Sequence, residues 1–323
     1  MPRRRTGLRL LKLLKLLLPI VLVLAAAVVG IAVWLAYSMA QPPRHPYVLT
    51  PDKFSHLSDR GVKVTEEKWR NSGDGTEARG WLLRGAEGAP AIVLLHRYGA
   101  DRSWLLNLGV KLNEATNYTI LWPDLRGHGE KPALPWTTFG ALEAEDVGSA
   151  LDYLNTLKTT QGRKLTGDVI GIYGMELGGY AGLMAATQNT GVRALVLDSV
   201  PSTPDELLRT VVKERTGFDN GLVYTLARGG ARLYFFRHYQ NANLCAAANG
   251  LNERRVLLLA GGGTGILHDL TTALAHCFPD SSTAEVSTDL LITGFDLSSA
   301  TSQQSEAYDR RIIEFFKKAL QTK

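Results

Sequence analysis

The sequence predicts an α/β architecture, a mostly parallel sheet covered by helices, preceded by one helix long enough to cross a membrane. Three observations carry this. Short β-type runs alternate with helix-length amphipathic segments from residue 62 onward, the pattern of a sheet layered between helices. The run at 91–95 (AIVLL) is wholly apolar, as a strand buried on both faces requires. No charged residue occurs from Leu16 to Tyr37, a stretch that rises about 33 Å as a helix and matches a bilayer core.

That apolar stretch organises the N-terminus. Six of the 36 Lys and Arg lie in the first fifteen residues, with no acid among them. Trp34 and Tyr37 stand near the far end of the stretch, where amphipathic rings favour the interface. The basic cluster predicts a cytoplasmic N-terminus and an extracytoplasmic remainder. Ser38-Met39-Ala40 offers small residues for a signal-peptide cleavage, but such apolar cores usually run about 7–15 residues, so an uncleaved anchor is the stronger reading. After residue 15 the chain holds 30 basic against 31 acidic side chains, a net of −1, which argues against a nucleic-acid surface. The expected organisation is a basic tail (1–15), an anchor (16–37) with the lipid bilayer as partner, a proline-containing linker (38–59) and one folded domain (60–323).

Within that domain, 62–69 and 76–83 read as an opening pair of strands, followed by the strand at 91–95. A helix over 101–115 places Trp104, Leu105, Leu108 and Leu112 on one face. Strands at 118–122 and 168–173 alternate with helices at 141–157 and 177–188. Further strands are expected at 192–198 and 255–260, and a last one at 289–293. A helix over 306–320 closes the chain with Lys317 and Lys318 in its final turn. The segment of about 55 residues between the strands at 192–198 and 255–260 has helical character and several aromatics, and reads as a lid.

Three stretches carry chemistry: LLHRYGADRS (94–103), PDLRGHGE (123–130) and GMELGGYAGL (174–183). Each falls at the end of a predicted strand. Together they resemble the α/β-hydrolase superfamily, in its esterase, dienelactone-hydrolase-like and prolyl-oligopeptidase-like branches, over roughly residues 60–320. The resemblance implies an α/β-hydrolase fold with a mostly parallel eight-stranded sheet and a small helical lid at about 200–254. It places a tight elbow, G-x-S-x-G in the family, at Gly174-Met175-Glu176-Leu177-Gly178, so that Glu176 occupies the nucleophile position. Backbone N–H groups of Tyr98 and Leu177 would then be the oxyanion donors.

The resemblance also puts the catalytic histidine in the loop after the last strand. Here that loop reads Ile292-Thr293-Gly294-Phe295-Asp296-Leu297, with Leu297 at the histidine position, and no histidine follows His276. The loop that should supply the acid, Gly261-Gly262-Gly263-Thr264-Gly265, contains none. Asp198 is the alternative acid, although a turn-initiating Asp explains it better. His96 and Arg97, the latter replacing a family glycine, are expected to line the site, His96 in a structural role. Asp124, Arg126 and His128 read as turn architecture, and His268 and His276 as packed side chains.

A triad needs a nucleophile, a base and an orienting acid, and this sequence lacks two of the three. The expectation is a catalytically impaired member with a binding or assembly role toward a small molecule or protein that the sequence does not name. The alternative is a hydrolase acting on ester, amide or alkyl substrates, with Glu176 as an atypical nucleophile or base. No cofactor or metal is expected. Cys245 and Cys277, the two cysteines, are either small buried side chains or, in an oxidising compartment, a disulfide. A reporter active in the cytoplasm alone, fused after Lys323, should stay silent; a bright fusion would reverse the predicted orientation.

Overall fold

A computed structural model of the chain describes residues 3–57, 63–262, 264–297 and 299–321, with the side chains of 3–14 and 55–57 excepted. The expected strand start at Val62, the boundary at 59/60 and Gly263 lie outside the described residues. The chain divides into two compact units, one comprising Met1–Met39 with Leu208–Arg237, the other Ala40–Leu207 with His238–Lys323.

In the first unit, α1 (Arg3–Ala40) is one continuous helix that accommodates Pro19. Its Lys15–Ala40 portion has mean hydropathy 3.0 and is long and apolar enough to span a membrane, as a signal sequence would also be. Every side chain from Lys15 to Ile31 is exposed. Soluble monomers rarely expose that much continuous apolar surface.

The second unit is built on the sheet. After α2 (Pro51–Leu57), the strands are β1 (Val64–Arg70), β2 (Glu77–Leu83), β3 (Ala89–Leu95), β4 (Thr119–Pro123), β5 (Thr166–Met175), β6 (Val192–Asp198), β7 (Arg255–Leu259) and β8 (Thr283–Ser287), with α3 (Leu106–Thr116), α4 (Ala141–Thr156) and α5 (Leu177–Ala186) interspersed. The strand order is β1-β2-β4-β3-β5-β6-β7-β8. β2 is antiparallel to both β1 and β4, and all later pairings are parallel. Between β6 and β7 come α6 (Pro204–Thr216), α7 (Gly221–Phe235) and α8 (Leu244–Ala248), then α9 (Ile266–Leu274) before β8 and α10 (Ser302–Leu320) at the end. Burial explains the central strands: Ile92, Leu94, Tyr173 and Val196 are wholly inaccessible and pack with Trp122, Ile312 and Phe316 in one core. Gly171 lets α10 close on the sheet, because a Cβ there would lie 2.7 Å from the Phe316 ring.

The last strand departs from expectation. It is Thr283–Ser287, not 289–293, and its pattern is largely exposed. An edge strand is paired on one side alone and needs no apolar run. The apolar run at 290–292 is instead loop, and it buries Ile292. The helix expected over 101–115 opens as a separate 3-10 turn, Arg102–Leu105, because the Asp101 side chain caps the N–H of Ser103. The proline-containing stretch before the domain is held against the second unit: Tyr47 donates its hydroxyl to Asp124 at 2.7 Å and the Val48 N–H reaches Ser103 Oγ at 3.1 Å. The expected lid divides, with Leu208–Arg237 in the first unit and the remainder in the second.

Cys245 of α8 and Cys277, in the turn after α9, form a disulfide across a Cα separation of 5.0 Å, closing 32 residues. A loop of that length restrains the unfolded chain by about 3–4 kcal/mol. Replacing both cysteines by serine should lower the denaturation free energy by about that amount, read as a shifted denaturant midpoint; an unchanged midpoint would deny the bond a stabilising role.

Candidate functional site

The turn between β5 and α5 keeps the geometry of an elbow although its central residue differs. Glu176 has φ 46° and ψ −107°, a conformation costly for a residue with a side chain. Tight packing imposes it. A Cβ on Gly174 would meet the Gly178 carbonyl at 2.6 Å, and one on Gly178 would meet the carbonyls of Leu95 and His96 at the same distance. The Glu176 N–H donates to the Asp198 carbonyl at 2.9 Å, and its own carbonyl accepts the Tyr180 N–H at 2.8 Å, which starts α5. Backbone bonds on both sides therefore fix where the side chain points.

That side chain is fully buried. Its Oε2 accepts the backbone N–H of Tyr98 at 3.0 Å. A carboxylate at the N-terminus of a helix, on a convergent loop N–H, sits in a favourable field for negative charge. The expected oxyanion donor Tyr98 is thus engaged by the protein's own carboxylate. Leu177, expected as the second donor, is the first residue of α5 and is likewise buried.

Two histidines hold the loops around this point. His96 receives the Leu125 N–H on Nε2 at 3.0 Å and donates from Nδ1 to the Arg97 carbonyl at 2.8 Å. His128 receives the Gly99 N–H on Nε2 at 3.2 Å and donates from Nδ1 to the Arg126 carbonyl at 2.8 Å. Their rings lie edge to face, 4.9 Å apart. Each imidazole therefore ties the loop after β3 to the loop after β4. Burial depresses both, His96 to about 4 and His128 to about 3.

The acid and the histidine loop meet, but through other groups. Asp198 ends β6, wholly buried, and accepts the Ser199 hydroxyl at 2.7 Å and the Gly294 N–H at 2.6 Å. The Tyr308 hydroxyl donates to the same carboxylate and lies 2.6 Å from the Tyr173 hydroxyl. Burial raises Asp198 to about 6. Asp198 is thus more than the turn initiator expected from sequence: it accepts the Gly294 N–H and so ties the end of β6 to the loop at 292–297. Leu297, at the histidine position, packs against the hydrophobic core. Arg97 donates to the Tyr98 carbonyl at 3.0 Å, and its guanidinium lies 4.8 Å from the Phe295 ring and 5.5 Å from Trp104. It fastens the same loop by cation–π contact.

Tyr173 and Tyr308 had no signal in the sequence as site residues, since Tyr308 meets Asp198 from 110 positions away and Tyr173 meets Tyr308 from 135. His268 is half-buried on α9, while His276 is exposed in a turn and not packed as expected. A cavity of about 220 Å³ opens elsewhere, lined by Tyr47, Trp69, Arg102, Asp124, Arg126 and others, and Glu176 does not line it. Two of its cations are matched locally: Arg102 pairs with Glu66 at 2.9 Å, and Arg126 with Asp146 and Asp74 at 2.6 Å each.

The depressed histidines set a pH dependence. Native His96 and His128 stay neutral down to about 4 and 3, whereas unfolded imidazoles take up protons below about 6.5. Their contribution to stability is complete above about pH 6.5 and is lost as pH falls toward 4. Nitrogen NMR should find both rings as the Nδ1–H tautomer with no titration from about pH 5 to 8; an imidazolium signature in that range would overturn the loop-tying assignment.

With this geometry in view, no family model and no curated protein matches the sequence. Solved structures do match. An esterase from Pyrococcus furiosus superposes with a TM-score of 0.64 at 17% identity, covering 87% of this chain and all of that one. A dienelactone hydrolase from Anabaena variabilis gives 0.54 at 18% identity, covering 80% of this chain and 99% of that one. An acylaminoacyl peptidase from Pyrococcus horikoshii gives 0.59 at 15% identity, covering 84% of this chain and 44% of the longer peptidase. The eight-stranded sheet, the elbow after β5 and these likenesses agree: the chain has the α/β-hydrolase fold.

Proposed function

We propose that this protein is a membrane-anchored α/β-hydrolase-fold module that binds or assembles and does not hydrolyse esters or amides by a covalent intermediate. The observation that carries the reading is the Glu176 carboxylate itself, buried and hydrogen-bonded to the Tyr98 N–H at 3.0 Å. An oxyanion donor works by being available to charge that develops on a substrate, and this one is already engaged by the Glu176 carboxyl group. The loop that would bring an imidazole to the elbow presents Gly294 to Asp198 and packs Leu297 inward. Attack by Glu176 on carbon would also require an imidazole to activate water for the second step. His96 and His128 have both ring nitrogens engaged by backbone, which speaks against either in that role. The anchor reading is supported by the exposed apolar length of α1.

The test uses the full chain in detergent or nanodiscs and a serine-directed fluorophosphonate. No labelling is expected, and activated esters should show no burst. Stoichiometric labelling of any residue between 90 and 300 would overturn the proposal.

A further inference from the structure

The segment Leu208–Arg237, which forms one compact unit with the apolar N-terminal helix, has a surface that the reading above leaves unexplained. On α7, Leu222, Leu233 and Phe236 at its end are exposed to 70%, 59% and 75%. Together with Gly229, also exposed, and half-buried Leu226, Leu222 and Leu233 recur at spacings of three and four and so share one face of the helix, and Phe236 follows directly at the helix end. Phe218, in the turn before α7, is exposed as well. The opposite face is small and buried: Ala227, Gly230 and Ala231. This is an inverted amphipathic helix for a protein in water, with its large apolar side chains outward.

The small face explains where the helix sits. A Cβ on Gly230 would lie 1.9 Å from the Ala32 carbonyl oxygen and 2.9 Å from the Val33 nitrogen. Backbone therefore meets backbone, the close approach that small residues permit between helices in lipid. Tyr234, one turn on, meets Tyr37 edge to face at 5.8 Å between ring centroids. Ala32 lies five residues before Tyr37, or about 7.5 Å along the helix axis. A helix that touches α1 at that level lies within the outer interface of any bilayer that α1 crosses. Interfacial helices bury their apolar face about 5–10 Å deep.

Charge points to the same occupant. Residues 208–237 contain six basic and two acidic side chains, a net of +4. The rest of the chain after residue 15 holds 24 basic against 29 acidic, a net of −5. The chain after residue 15 is balanced overall, so the positive charge of 208–237 is a local excess in a segment that also exposes the rings of Phe218 and Phe236, and anionic headgroups attract such a segment.

We infer that α7 and the turn before it form a second membrane-binding surface, seated in the outer leaflet of a bilayer containing anionic lipid, with Phe218, Leu222, Leu233 and Phe236 facing the acyl chains. This rests on the reading of α1 as a membrane anchor. The experiment separates the two. The full chain, disulfide intact, carries one environment-sensitive fluorophore at a time on Val29→Cys in α1, Leu233→Cys in α7 or Asp168→Cys on the second unit. Each variant is reconstituted in vesicles of phosphatidylcholine and phosphatidylglycerol. Tail-labelled nitroxide lipids should quench the labels at 29 and 233 and leave the label at 168 unquenched, while aqueous iodide should do the reverse. Quenching at 29 with iodide access at 233 overturns the α7 surface and leaves the anchor standing. A label at 233 shielded from both quenchers assigns the face to a protein partner and also overturns the inference. Iodide access at both 29 and 233 removes the anchor, and the inference with it.

Discussion

A buried carboxylate must find hydrogen-bond donors or leave the interior, and in this protein the Glu176 carboxylate finds the Tyr98 N–H. The rest of the site is arranged around that contact. The elbow carries the side chain on a strained backbone, φ 46° and ψ −107°, maintained because Gly174 and Gly178 bring strand, helix and the loop after β3 together without Cβ atoms. Tyr98 stands in place because its neighbours are tied on both sides, His96 to Leu125 and His128 to Gly99. The two histidines can do this only while neutral, and their burial keeps them so. The elbow geometry thus carries a buried carboxyl group held by a backbone N–H of the facing loop.

The second polar centre repeats the logic. Asp198 is wholly buried, and Gly294, Ser199 and Tyr308 satisfy it. A buried polar network stabilises only when its members are satisfied, and is costly otherwise. At Asp198 the donors are a peptide N–H, a serine hydroxyl and a phenol. The loop is held further by Arg97 over Phe295.

The first unit has a separate physical basis. Helix α1 exposes its side chains from Lys15 to Ile31, and Gly230 fits its backbone against Ala32. Neither feature is driven by the sheet. Removing apolar surface from water is the dominant force in folding; in the first unit the surface from Lys15 to Ile31 stays uncovered by the described residues.

The sequence by itself determined a good deal. Alternating runs located the central strands, because strands buried on both faces must be continuously apolar, and 192–198 was placed to the residue. The resemblance of Gly174-Met175-Glu176-Leu177-Gly178 to the family's turn located the elbow, and the sequence shows that no histidine follows His276. The edge strand at 283–287 was missed because an edge lacks the burial that writes a pattern into sequence. Tertiary structure alone decided that Tyr98 donates to Glu176, that Asp198 meets Gly294 and Tyr308, that Cys245 joins Cys277, and that α7 backs onto α1. The physical reason is common to all four. Each joins groups far apart in the chain, and a hydrogen bond, a disulfide or a close helix contact leaves no periodic trace along the sequence.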